Sequence, residues 1–268
     1  MHPLDHKLLR DLWRLRVQAL AVALIVASGV AVLVMSLAAI EALEDTAARY
    51  YERQRFADVF ASARRVPEAV AREIAELPGV RAVESRIRQF ATLDVGDFPE
   101  PVMASVVSVP ETGQPALNRL VLRSGRWIQP GRPDEVLIAE SFAEGHGLVP
   151  GDRFHALMNG RRRELRVVGV ALSPEYVYAI GPGALMPDAK RYGALWMGRE
   201  GLEAIWDLDG AFDDLALTLH RGARSEDVIE RVDALLDPWG GTGAYPRRDQ
   251  LSNWFLMNEI EQLRAMAQ

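Results

Sequence analysis

Apolar positions along this chain fall into two unlike regimes. The stretch 17–40 opens on Val17, closes on Ile40 and carries no charged residue, and only Gln18, Ser28 and Ser36 offer strong hydrogen-bonding groups there. As a helix rising ~1.5 Å per residue it spans roughly 36 Å, enough to cross a hydrocarbon core of ~30 Å with some tilt. That length and apolarity exclude a buried core helix. The remaining rival is a cleaved signal peptide, whose apolar core runs ~7–15 residues and ends at a small-residue site. Leu37-Ala38-Ala39 offers a weak site of that kind, but the run is much longer, so the pattern predicts an uncleaved transmembrane helix.

Charge on the two flanks sets an orientation. Lys7, Arg10, Arg14 and Arg16 precede the apolar stretch, and Glu41, Glu44 and Asp45 follow it. The positive-inside rule then puts the N-terminus in the cytoplasm and the bulk of the chain outside the plasma (inner) membrane. Residues 1–16 make a cytoplasmic amphipathic segment. In it Leu8, Leu9, Leu12, Trp13 and Leu15 alternate with charges, which suits a helix lying on membrane lipid. The alternative is simply the start of the membrane helix with its positive flank. Residues 41–54 contain neither Gly nor Pro, and Leu43, Ala47, Tyr50 and Gln54 share one stripe, which predicts a rigid stalk helix.

Beyond the stalk the periods shorten and mix. Strand-like runs are expected at 56–63, 80–95 (one long strand or two short ones), 102–109, 120–122, 135–138, 153–158, 164–172, 192–197 and 212–219. Helical spacing is expected at 67–77, 139–146, 200–206 and 225–236, with Ser225 as N-cap of the last. Asn159-Gly160 between two strand runs is a strong hairpin signal. The whole reads as α+β: an extracytoplasmic domain over 55–247, in lobes of about 55–118 and 119–247. A returning stalk helix follows over 248–268, with Leu251, Phe255, Ile260, Leu263 and Ala267 on one face, able to pack antiparallel on 41–53.

Composition changes this picture little. The chain is 49% hydrophobic and 25% charged, as a folded protein is, and its formal net charge of −6 argues against a nucleic-acid partner. There is no cysteine, which removes disulfides, thiolate metal sites and cysteine nucleophiles.

The search for catalytic chemistry returns nothing specific. His2, His6, His146, His155 and His220 show no metal-ligand spacing in the outer domain, so no metal is expected. No P-loop, G-x-S-x-G elbow or dinucleotide fingerprint occurs, so no cofactor and no enzyme activity are expected of this chain. Asp207, Asp209, Asp213 and Asp214 surround Gly210 in an order faintly like a calcium loop, but the late bidentate Glu is missing and turn or cap duty is the better reading. Two surfaces stand out as candidate partner or substrate contacts. One is Arg161, Arg162 and Arg163 at the hairpin tip. The other is Tyr176, Val177 and Tyr178 in an aromatic loop. A solvated turn and a packed connection are the plain alternatives.

The order of parts, together with the segments GRWIQPGRPDEVLIAESFAEGHGLVPGDRF (125–154), MNGRRRELRVVGVALSPEYVY (158–178) and RYGALWM (191–197), resembles the N-terminal part of permeases of the type VII ABC transporters. That group includes MacB, FtsX and the lipoprotein-release permeases. The resemblance implies a first transmembrane helix plus a MacB-like periplasmic core domain. It also implies a separate cytoplasmic ABC ATPase subunit, and a second permease copy facing the first. It further implies that the stalk transmits ATP-driven motion. Such permeases carry three further membrane helices, so the chain reads as an N-terminal fragment. The rival is a single-pass anchored binding or scaffold domain.

Overall fold

The computed structural model of the protein describes residues 16–96 and 98–266. The amphipathic segment expected over 1–16 lies outside them except for Arg16. The chain divides into two units, one made of the residues up to Ala48 with those from Asn258 on, the other of Arg49–Met257.

The first unit is dominated by α1 (Arg16–Arg53), which continues without a break for 38 residues. Its most apolar 18-residue window has a mean hydropathy of 2.7, and none of that window is buried. Val17, Ile25 and Met35 stand 75%, 70% and 64% exposed, which water would not tolerate over a continuous surface but lipid would. Among the unit's described residues, Ile40 and Ile260 are the buried apolar ones. Arg264 of α6 (Leu251–Met266) donates to the Glu44 carboxylate of α1, so the two helices touch where the stalk was expected. Leu251 and Leu263 of the expected apolar face are instead 43% and 40% exposed.

The second unit holds two sheets. The smaller is antiparallel in the order β11-β1-β10-β2, built from β1 (Val59–Pro67), β2 (Val80–Arg86), β10 (Ala211–Leu219) and β11 (Tyr245–Pro246). Helices α2 (Glu68–Ala75) and α5 (Ser225–Leu236) cover one face, placing Ala71, Ile74, Val228, Val232 and Leu236 on Val59, Val66, Phe212 and Leu215. Pro67 precedes α2, where its fixed φ and missing N–H cost nothing.

The larger sheet contains β3 (Arg88–Asp94), β4 (Val102–Val109), β5 (Val121–Gly125), β6 (Glu135–Ala139), β7 (Arg153–Met158), β8 (Arg161–Leu172) and β9 (Tyr192–Gly198). Its order is β5-β8-β6-β9-β4-β3-β7, and β8 also pairs with β7. Six strands therefore close into a ring, with β5 attached at the side. Closure removes free edges and surrounds a core that includes Leu93, Val106, Ile138, Met158, Leu165 and Met197. The β7–β8 turn is the expected Asn159-Gly160 hairpin, with φ of 47° and 72° at the two residues. Short helix α3 (Glu140–His146) ends on Gly147 at φ 66°, and α4 (Arg199–Trp206) links the ring back to β10.

Two expectations need correcting. The sheets do not divide at 118/119: β3 and β4 belong to the ring, and β10 returns to the first sheet. Of the two readings open for 80–95, two short strands holds: they lie in different sheets and join at the fully buried Ile87. Ser225 is the first helical residue of α5; Arg224 holds the cap position, with no side-chain bond.

Candidate functional site

The point where the chain crosses from one sheet to the other is paved with buried charge. Arg86 is the last residue of β2 and lies in register with Asp214 on β10. Its Nε donates to Asp214 Oδ2 at 2.7 Å. Its other nitrogens fork onto Glu175, at 2.6 Å and 3.1 Å. Arg88, the first residue of β3, reaches back to Asp214 Oδ1 at 2.9 Å and donates to Ser62 Oγ at 3.1 Å. Asn118 Nδ2 donates to Glu175 Oε2 at 2.9 Å. Arg86, Glu175 and Asp214 are each less than 5% exposed.

Two guanidiniums face two carboxylates, so the cluster is neutral in sum, and such fork geometry is the strong form of the interaction. Burial works against the Arg86 charge, but Asp214 and Glu175 outweigh it and hold its pKa above the ordinary arginine range. Asp213, next along β10, accepts from the Arg88 backbone N–H at 2.6 Å and from Gln89 Nε2 at 2.7 Å. Burial pushes its carboxyl up to about 6, those two bonds oppose the rise, and neighbouring Asp214 adds to it.

Glu175 is presented by a single 3-10 turn, Pro174–Tyr176, that follows β8. Ser173 caps it by accepting the Glu175 N–H at 3.2 Å. Beside it a cleft of about 170 Å³ is lined by Arg88, Phe90, Tyr176, Tyr178, Tyr192 and Tyr245 among others. Cavities near this size take a benzene-sized group.

The residues singled out in the sequence fall in different places. Tyr176 and Tyr178 do meet in this cleft. The Tyr176 hydroxyl lies 2.9 Å from Ser105 Oγ and its ring stands edge-on to Trp196 at 5.9 Å, so it is more a wall than a free contact. Burial raises its hydroxyl pKa. Val177 points outward, and the Tyr178 N–H donates to Ser252 Oγ at 2.9 Å. Arg161 and Arg162 are exposed on β8 away from the cleft; Arg162 pairs with Asp94 at 2.8 Å, and Arg163 is half-buried. Of the aspartates read as turn residues, Asp207 does cap α4 with φ 55°. Asp213 and Asp214 are instead buried strand residues. Sequence reading gave no role to Arg86 or Arg88, and none to Glu175 beyond its place in the aromatic loop. The available signal was a lone glutamate inside an otherwise apolar, aromatic run.

The described residues thus join one long apolar helix to an α+β domain of two sheets. The chain belongs to the MacB-like periplasmic core domain family, which matches residues 19–235 and places it among the permeases of type VII ABC transporters. The periplasmic region of MacB from Actinobacillus actinomycetemcomitans is similar at 12% identity, covering 79% of this chain and 95% of that one with a TM-score of 0.43. The extracellular domain of the noncanonic ABC-type transporter YknZ from Gram-positive bacteria is similar at 11% identity, covering 71% of this chain and 98% of that one with a TM-score of 0.42. Among curated proteins none matches the chain.

Proposed function

We propose that the chain is the N-terminal part of a permease subunit that carries ATP-driven motion from a separate cytoplasmic ABC ATPase to its outer domain. In this reading α1 crosses the inner membrane in contact with lipid, its N-terminal end is cytoplasmic, and two permease copies face each other. The outer domain does mechanical work on a periplasmic substrate or partner, and ATP is hydrolysed elsewhere. The observation that carries the reading is the unbroken helix α1, whose exit is bonded into the outer domain. The Arg119 and Asn118 N–H groups donate to Gln54 O and Arg55 O at 2.8 Å and 3.0 Å. A helix without Gly or Pro through 41–53 suits the transfer of displacement.

The test is purification of the full permease from detergent-solubilised membranes and its reconstitution in nanodiscs. The expected result is a co-purifying ATPase, with ATP changing the distance between spin labels on the two outer domains. A chain that purifies alone and gives no ATP-dependent change would overturn it. The aromatic cleft favours a second reading, an anchored binding domain, which predicts a saturable small ligand and indifference to ATP.

A further inference from the structure

The two helices that serve the outer domain are fastened, within that domain, around one short segment, residues 173–178. On the α6 side, Gln250 Nε2 donates to Glu175 O at 2.8 Å, and Ser252 Oγ accepts the Tyr178 N–H at 2.9 Å. Gln250 and Ser252 are themselves 7% and 3% exposed. On the α1 side, Asn118 carries the link. Its Oδ1 accepts the Ala57 N–H at 2.8 Å while its Nδ2 holds the Glu175 carboxylate. Arg247 joins the two sides directly, donating to Ala57 O at 2.7 Å and to Phe56 O at 2.6 Å.

From the same segment the contacts run on into both sheets. Glu175 grips Arg86 of the smaller sheet. Tyr176 is bound to Ser105 of β4 and packed on Trp196 of β9, both strands of the ring. The α1 exit is also bonded through its backbone to Arg119 and to Asn118, the residue that holds Glu175, whereas its ring packing is less directed. Tyr51 packs on Phe56 at 4.6 Å between ring centroids, and its buried hydroxyl has no hydrogen-bond partner. Packing of that sort resists compression yet does not fix direction. Buried hydrogen bonds fix both, most strongly where one ends on a charged group, as Asn118 does on the Glu175 carboxylate.

We infer that residues 173–178 are a coupling strap, and that Gln250 and Glu175 are positioning residues that make a displacement at the start of α6 a displacement of the ring. The inference rests on the permease reading above and adds to it the place where motion enters the outer domain. Gln250 meets the strap through a backbone oxygen, so its loss cuts the link without unpairing the ion cluster. Glu175 serves both, so its loss would disturb folding as well.

The experiment uses the full permease with its ATPase in nanodiscs, reading ATP hydrolysis and the ATP-driven change in label distance across the outer domain. Gln250→Ala, with Ser252→Ala as a second variant, is expected to keep ATP hydrolysis and lose at least half of the distance change. Adding the pair Tyr178→Cys and Ser252→Cys to Gln250→Ala places two thiols beside the broken link, in a chain that has no cysteine of its own. Oxidation should restore the movement and reductant should abolish it again. A merely structural Gln250 would lower the melting temperature without that reversible rescue. Full movement in both alanine variants, or no recovery on oxidation, would overturn the strap while leaving the permease reading intact. Absence of any ATP response in the parent would sink the permease reading itself.

Discussion

Arg86 and Asp214 face each other in register on neighbouring strands, and both are almost wholly withdrawn from water. Their 2.7 Å bond is completed by Glu175, which arrives from the ring. Removing one member of such a group strands an unpaired buried charge, at a cost of about 3–5 kcal/mol. Arg86→Ala should therefore lower the urea midpoint of the two-sheet domain sharply. Arg153→Ala breaks an exposed pair with Glu164 of similar length, 2.8 Å, and should cost less than about 1 kcal/mol. Equal losses in the two variants would mean that the buried cluster carries no special weight.

Asp213 gives the domain a pH response of definite sign. Its folded pKa is raised to about 6 from an ordinary 3.8, so folding favours the protonated form. That contribution is complete below about pH 4 and is lost as pH rises through 6. Asp213→Asn cannot ionise, and its amide still offers an oxygen to the Arg88 N–H. The difference in stability between parent and variant should shift in the variant's favour from pH 4 to pH 7. Melting curves taken across that range check it, and parallel profiles would refute it.

Local pattern revealed much of this fold, and it failed where partners are far apart. Strand β4 needs only its own run of Val102, Ala104, Val106, Val107 and Val109, and the hairpin needs only Asn159-Gly160; both were legible. The sheet to which β3 belongs is decided by pairings with β4 and β7, the latter more than sixty residues away, and no local period records them. The ion cluster was hidden for the same reason. Arg86 and Arg88 sit in the strand-like run 80–95, and nothing local marks them. Asp213 and Asp214 read as an extension of the Asp207 turn. Only the folded chain brings Asp214 to an arginine 128 positions earlier.

Gly125 stands where the chain leaves β5, at φ 78°, and a Cβ there would lie 2.3 Å from the Val168 carbonyl oxygen. Backbone cannot yield as a side-chain tip can, so Gly125→Ala combines a left-handed strain of about 1–2 kcal/mol with a collision against β8. A large drop in stability and poor expression are expected. Gly160→Ala shares the positive φ but meets nothing within 4 Å, so it should show the strain alone. Comparing the two by urea denaturation separates conformational cost from collision.

The first helix makes the sharpest physical claim, because its described apolar side chains, Ile40 apart, are exposed over the stretch expected to cross the bilayer. If lipid covers it, the protein should stay with membranes through an alkaline carbonate wash and leave only with detergent. Val30 is 54% exposed near the middle of the stretch, so Val30→Arg puts a charge at mid-bilayer at a cost of about 2.5–3.5 kcal/mol on insertion. Thr46→Arg adds the same charge within the same helix but beyond the apolar stretch. Its hydroxyl bonds only the carbonyl of Ala42, so it should leave the membrane fraction unchanged. Intact mass spectrometry of the membrane-bound protein decides the remaining rival. A mass matching the whole N-terminus means an anchor, and loss of the residues up to about Ala39 means the helix was a cleaved signal.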